Sequence, residues 1–179
     1  MTRLAVALIY LWVGWLSPRA APTVTATLTP PAAAPAANGP AQWVGIETVD
    51  GGLVQTGTFS LAGGTYEAFI AFCQPAGLCT PQWTKRLHGR DRLRFGVVWL
   101  GGARWRASVW DRTAGWAVWR YGTYRFGAPT HDLWVAETQS SVLWRGVAVF
   151  SRPTAVPVAP ITDPLSGLRP AGRFRVVGQ

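Results

Sequence analysis

Lysine is nearly missing from this chain: Lys85 is the only one among 17 basic residues, and the remainder are arginines. Histidine and cysteine each stop at two, and only eight acidic residues oppose the basic ones. These shortages remove whole classes of chemistry. A zinc site needs about four ligands at short spacings, and His88 and His131 have no ligand pattern around them. No metal or other cofactor is expected. The isolated histidines also argue against a Ser-His or Cys-His nucleophile. There is no Gly-x-Ser-x-Gly elbow, His-Glu-x-x-His helix, phosphate loop or dinucleotide fingerprint. Long apolar runs are missing too. The longest, "LAVALIYLWVGWL", has 13 residues, short of the ~18 to 20 that a spanning helix requires.

What is present begins with that run. Arg3 precedes it and small residues follow it, the layout of a secretory signal peptide with "VTA", ending at Ala26, as the better cleavage site. The sequence thus predicts a signal over 1–26, with an uncleaved anchor as the alternative, and a Pro/Ala-rich linker over 27–41. One folded domain follows over 42–179, in a secreted or extracytoplasmic protein. Outside the cytoplasm, Cys73 and Cys79, bracketing the turn-like "QPAGL", are expected to form a disulfide.

The formal charge is +9, or +7 without Arg3 and Arg19. Such a balance suits nucleic acid or an anionic surface. The arginines are scattered along strand-like segments and form no run, as solvated strand faces do. No nucleic-acid partner is therefore expected, no membrane contact beyond the signal segment, and a monomer.

Residues after 41 read as short β runs between glycine-rich turns. "QWVGIE" and "LVQTGTF" flank Asp50-Gly51-Gly52, and "RLRFGVVWL" and "ARWRASVWD" flank Gly101-Gly102. In "RLRF", Arg92 and Arg94 alternate with Leu93 and Phe95, so one face of the strand is buried. Helical periodicity is absent. The pattern predicts an all-β, antiparallel two-sheet sandwich.

Carboxylates and amides are the groups left for chemistry. After the signal the only glutamates are Glu47, Glu67 and Glu137. Glu137 ends the apolar stretch "LWVAE", where a desolvated carboxyl would hold its proton as a general acid must. Gln55 in "LVQTG" is either an exposed strand residue or a placed hydrogen-bond donor.

The order "AQWVGIE", "LVQTG", "GTYEAF", "LWVAE", "GVAVFS" resembles the eqolisins, the glutamic peptidases, over roughly residues 41 to 151. The resemblance implies a concanavalin-like sandwich of bent sheets and a secreted endopeptidase acting on polypeptides at acid pH. It matches Gln55 and Glu137 to the family's catalytic pair, Trp43 to a cleft tryptophan and Glu47 to a family aspartate. Tyr66 and Trp134, within the matched stretches, are expected at the substrate. Ala71 and Leu133 stand where the family carries glutamates, and the family's N-terminal strand finds no match, its place being taken by the signal and linker. Two other readings use the same residues: a binding module of this fold that holds peptide or glycan without cleaving it, and a basic surface protein in which Arg and Trp engage nucleic acid or an anionic envelope polymer.

Overall fold

The computed structural model describes residues 10–30, 41–61, 65–75, 79, 81–139, 147–149, 159–161, 168–171 and 175–178. Side chains are described over 13–30, 41–61, 65–75, 79, 81–135 and at 160. Among them every regular element is a strand: β1 (Tyr10–Leu16), β2 (Thr23–Leu28), β3 (Ala41–Thr48), β4 (Leu53–Leu61), β5 (Thr65–Cys73), β6 (Pro81–Leu87), β7 (Leu93–Trp99), β8 (Arg104–Asp111), β9 (Trp116–Thr123), β10 (Pro129–Gln139), β11 (Val147–Val149), β12 (Ala159–Ile161), β13 (Leu168–Ala171) and β14 (Arg175–Gly178).

Seven strands form one sheet in the order β12-β1-β10-β3-β4-β5-β6, and four form a second, β2-β7-β8-β9. A small third sheet orders β11-β14-β13. The hairpins follow from local chemistry. Gly101 and Gly102 take φ of 91° and 55°, the left-handed region that a β7–β8 turn needs and side chains resist. Asp111 closes the next turn, its Oδ1 accepting from the backbone of Thr113 at 2.8 Å and Ala114 at 2.9 Å.

Period-two alternation builds the core. Leu93, Phe95 and Val97 of β7, and Trp105, Ala107 and Val109 of β8, meet Val44, Ile46, Val54, Ile70 and Trp134 of the larger sheet. This is the all-β sandwich that the alternation predicts. Burying each of its large side chains is worth about 1.5–3 kcal/mol. The larger sheet has a second apolar cluster on its other face, built from Ala41, Trp43, Phe69, Ala71, Cys73, Leu133 and Val135.

The N-terminal segment is placed otherwise than the signal and linker expectation. β1 pairs with β10 along its whole length, from Tyr10 opposite Gln139 to Leu16 opposite Leu133. β2 pairs with β7 from Thr23 opposite Val98 to Leu28 opposite Leu93. Val13, Val24, Ala26 and Leu28 are buried in the core between the sheets. The backbone NH of Ser17 donates to the Asp132 carbonyl at 2.9 Å, and that of Trp99 to Pro22 at 2.8 Å. The folded unit thus includes two strands before residue 42. An apolar run of this length satisfies a signal core and a buried strand equally, and only its partner strands separate the two. Residues 1–9 and 31–40 of the expected signal and linker lie outside the described residues.

Candidate functional site

The two motifs that bracket the first hairpin are halves of one ladder. Trp43 of β3 faces Gly57 of β4, and Gly45 of β3 faces Gln55 of β4. Each bulky side chain therefore stands opposite a glycine. A Cβ on Gly57 would lie 2.1 Å from the Gln42 carbonyl oxygen and 2.6 Å from the Trp43 Cβ, so no larger residue fits without moving backbone. At Gly45 a Cβ would come 3.0 Å from Leu53 Cδ1 and 3.2 Å from the Gln55 Cβ. "WVG" and "QTG" thus make a complementary frame for one indole and one amide.

Gln55 is buried, 8% exposed, on the sheet face that carries the second apolar cluster. Its Nε2 lies 3.6 Å from both Cys73 Sγ and Cys79 Sγ. These two cysteines form the expected disulfide, with S–S 2.01 Å. Sulfur is a weak acceptor, and the Gln55 Oε1 is buried with no hydrogen-bond partner. An unpaired buried carbonyl costs roughly 1–3 kcal/mol, so the amide sits where a further polar group would be favourable.

Glu137 lies on β10 opposite Ala41, which in turn faces Phe59. The β10 residue in the Gln55 row is Leu133, joined through Gly45. Gln55 and position 137 are therefore two strands and four positions apart, about 17 Å between Cα atoms on a flat sheet. Trp43, opposite Val135, occupies the row midway between them. Leu133 and Val135 belong to the cluster on the Gln55 face, and position 137 continues their alternation along β10. The Glu137 side chain lies outside the described residues.

Glu47 is next to Gln55 in register, opposite Leu53, which pairs with Cys73. Its Oε2 lies 3.3 Å from His131 Nδ1, a half-exposed pair at ion-pair distance but without hydrogen-bond geometry. The sequence offers no signal for His131 at this place, because its neighbours carry no motif and only the β3–β10 register brings it to Glu47. Nor does local sequence show that the Cys73–Cys79 bridge touches the Gln55 amide.

Three expected contact residues are buried. Trp43 is 1% exposed and lies within the second cluster. Trp134 and Tyr66, each 1% exposed, belong to the core between the sheets, on the face opposite Gln55. The Trp134 Nε1 donates to the Thr25 carbonyl at 3.5 Å, and burial pushes the Tyr66 phenol up to about 12. Strand parity is the reason: both residues are out of phase with the face that Gln55 shares. Among the described residues no three His, Cys, Asp or Glu side chains gather as a metal would require.

No protein-family model matches the chain, and no characterised protein matches it in sequence. Solved structures do match in shape. Scytalido-glutamic peptidase bound to a peptide-based transition-state analogue superposes with a TM-score of 0.71 at 14% identity, covering 95% of this chain and 98% of that one. SCP-B, an eqolisin-family peptidase in complex with the tripeptide Ala-Ile-His, superposes with a TM-score of 0.68 at 15% identity over the same shares. The match extends well beyond residues 41 to 151 and takes in strands before the WVG motif. The chain has the eqolisin fold.

Proposed function

We propose that this protein is an acid endopeptidase of the glutamic type, with Gln55 and Glu137 as its catalytic pair and a polypeptide as its substrate. The observation that carries the reading is the frame around Gln55. In a fold that solved glutamic peptidases share, the amide is set opposite a glycine, beside a buried tryptophan, with its carbonyl oxygen unpaired. The Glu137 carboxylate would take a proton from water attacking the scissile carbonyl, and the Gln55 NH2 would donate to the oxygen that becomes negative. The carboxyl would then return its proton to the leaving amine. A single preorganised donor of this kind is worth about 3–4 kcal/mol of barrier. The register separation requires the sheet to bend so that both groups reach one carbonyl.

The test is cleavage of an unfolded protein substrate by the full chain between roughly pH 2 and 5. Activity should resist chelators and serine reagents; Glu137→Gln should abolish it, and Gln55→Ala should lower kcat by about 10²- to 10³-fold. Equal background cleavage by wild type and Glu137→Gln at every pH would leave a second reading, a peptide-holding module without catalysis. That reading is favoured by one observation: Gln55 is 92% shielded and its row holds Ala71 and Leu133, with no carboxylate.

A further inference from the structure

The outward face of the four-stranded sheet is used by neither cluster nor site. Its register brings together residues that are scattered in sequence. Arg94 faces Trp110, which faces Ala117; Gly96 faces Ser108, which faces Trp119; Val98 faces Arg106, which faces Tyr121. Beyond these, Arg104 faces Thr123. β2 extends the rows with Thr27, Thr25 and Thr23. Trp110, Trp119 and Tyr121 are 42%, 55% and 70% exposed, whereas most of the other described large aromatics are covered. Trp119 and Tyr121 are consecutive outward positions of β9, about 6.8 Å apart, and Trp110 is the diagonal neighbour of Trp119. Arg112 lies 5.2 Å from the centre of the Trp110 ring.

No described acidic side chain belongs to these rows. Asp111 points inward and serves the β8–β9 turn, and Asp91 is buried against the His88 backbone. The face therefore offers three rings and a group of guanidinium charges, with threonine, serine and glycine between them. Flat rings at successive positions take bases by stacking, and arginines take the phosphates. Other occupants fit less well. Recognition of neutral sugars calls for carboxylate or carboxamide partners, and these rows contain none. Insertion into a lipid surface calls for a contiguous apolar patch, whereas here Arg94, Arg104 and Arg106 stand among the rings and the aliphatic side chains are the half-buried Val98 and, at the strand end, the exposed Leu100.

We propose that this face binds single-stranded nucleic acid, reading charge and stacking without base sequence.

The experiment is fluorescence anisotropy of a labelled oligothymidylate titrated with the full chain. Saturable binding is expected at about 50 mM salt, weakening on a log-log plot by about 0.7 for each phosphate contacted. Trp119→Ala with Tyr121→Ala should weaken binding roughly tenfold or more at unchanged salt slope. Arg94→Gln with Arg106→Gln should reduce the slope itself. Trp83→Ala, on β6 of the other sheet, should bind as wild type. Of the five positions changed in these three variants, four are exposed and Arg106 is half-buried, and far-ultraviolet circular dichroism checks that each variant folds. Absence of saturable binding overturns the proposal. So does binding that survives loss of both rings, or that is matched by a polyuronate or by anionic phospholipid vesicles, since charge alone would then account for it. Equal losses in Trp83→Ala and the ring variant would place the binding elsewhere. None of these outcomes depends on proteolytic activity.

Discussion

Gln55 and Asp132 are both buried polar groups with an unpaired oxygen, and their surroundings give them different consequences. The Gln55 amide nitrogen lies 3.6 Å from both sulfurs of the Cys73–Cys79 bridge, so the bridge orients the amide. If the amide is the oxyanion donor, reducing the disulfide should lower kcat with little change in KM. Gln55→Ala should be insensitive to the same reductant; equal sensitivity of both would leave the bridge a purely structural role. Its stability contribution, from a sequence separation of 6, should be about 2 kcal/mol. Asp132 is 2% exposed, and among the described residues its carboxyl accepts from the Ala21 backbone NH, at 3.1 Å on Oδ2. Burial raises its carboxyl from 3.8 to about 6. The folded state therefore holds this proton more tightly than the unfolded chain, and the contribution of Asp132 to stability is greatest at low pH and falls as pH rises from about 4 through 6. The loss should be on the order of 2–3 kcal/mol. Thermal midpoints of wild type against Asp132→Asn across this window test it: the asparagine variant should show a flatter profile. An unchanged pH dependence would assign the effect to other groups.

At the level of elements, the β3–β4 hairpin and β1 carry the most consequence. The hairpin depends on Gly57, where a Cβ meets the Gln42 carbonyl oxygen at 2.1 Å. Gly57→Val should destabilise the protein by about 3 kcal/mol or more, read as a shift in denaturant midpoint, whereas a surface change such as Val49→Thr should be neutral. β1 lies between β10 and β12, and removing it would uncover two strand edges together with the sites of Val13 and Trp15. A chain beginning at residue 27, as signal cleavage would leave it, should therefore fail to give a folded monomer by circular dichroism and gel filtration. A stable, compact product would show that the strand is dispensable and keep the signal reading open.

For the whole molecule, the sequence by itself determined the class of the fold, because alternating apolar residues and paired turn glycines can be satisfied only by antiparallel sheets with one buried face. It also determined the Cys73–Cys79 staple, whose short loop leaves little choice of partner, and it singled out Gln55 by motif. Long-range register decided the rest. Whether residues 10–16 are a leader or a strand depends on β10 and β12, more than a hundred residues downstream in the chain. Trp134 and Tyr66 looked available in their motifs, yet parity across the sheet assigns both to the core. The Glu47–His131 pair and the contact of the bridge with the Gln55 amide likewise arise from strand pairing. Arginines that are dispersed in the chain become one face because cross-strand neighbours, separated by tens of residues, stand about 5 Å apart in a sheet. Local pattern encodes which face of a strand is wet; only the pairing of strands decides what that face is next to.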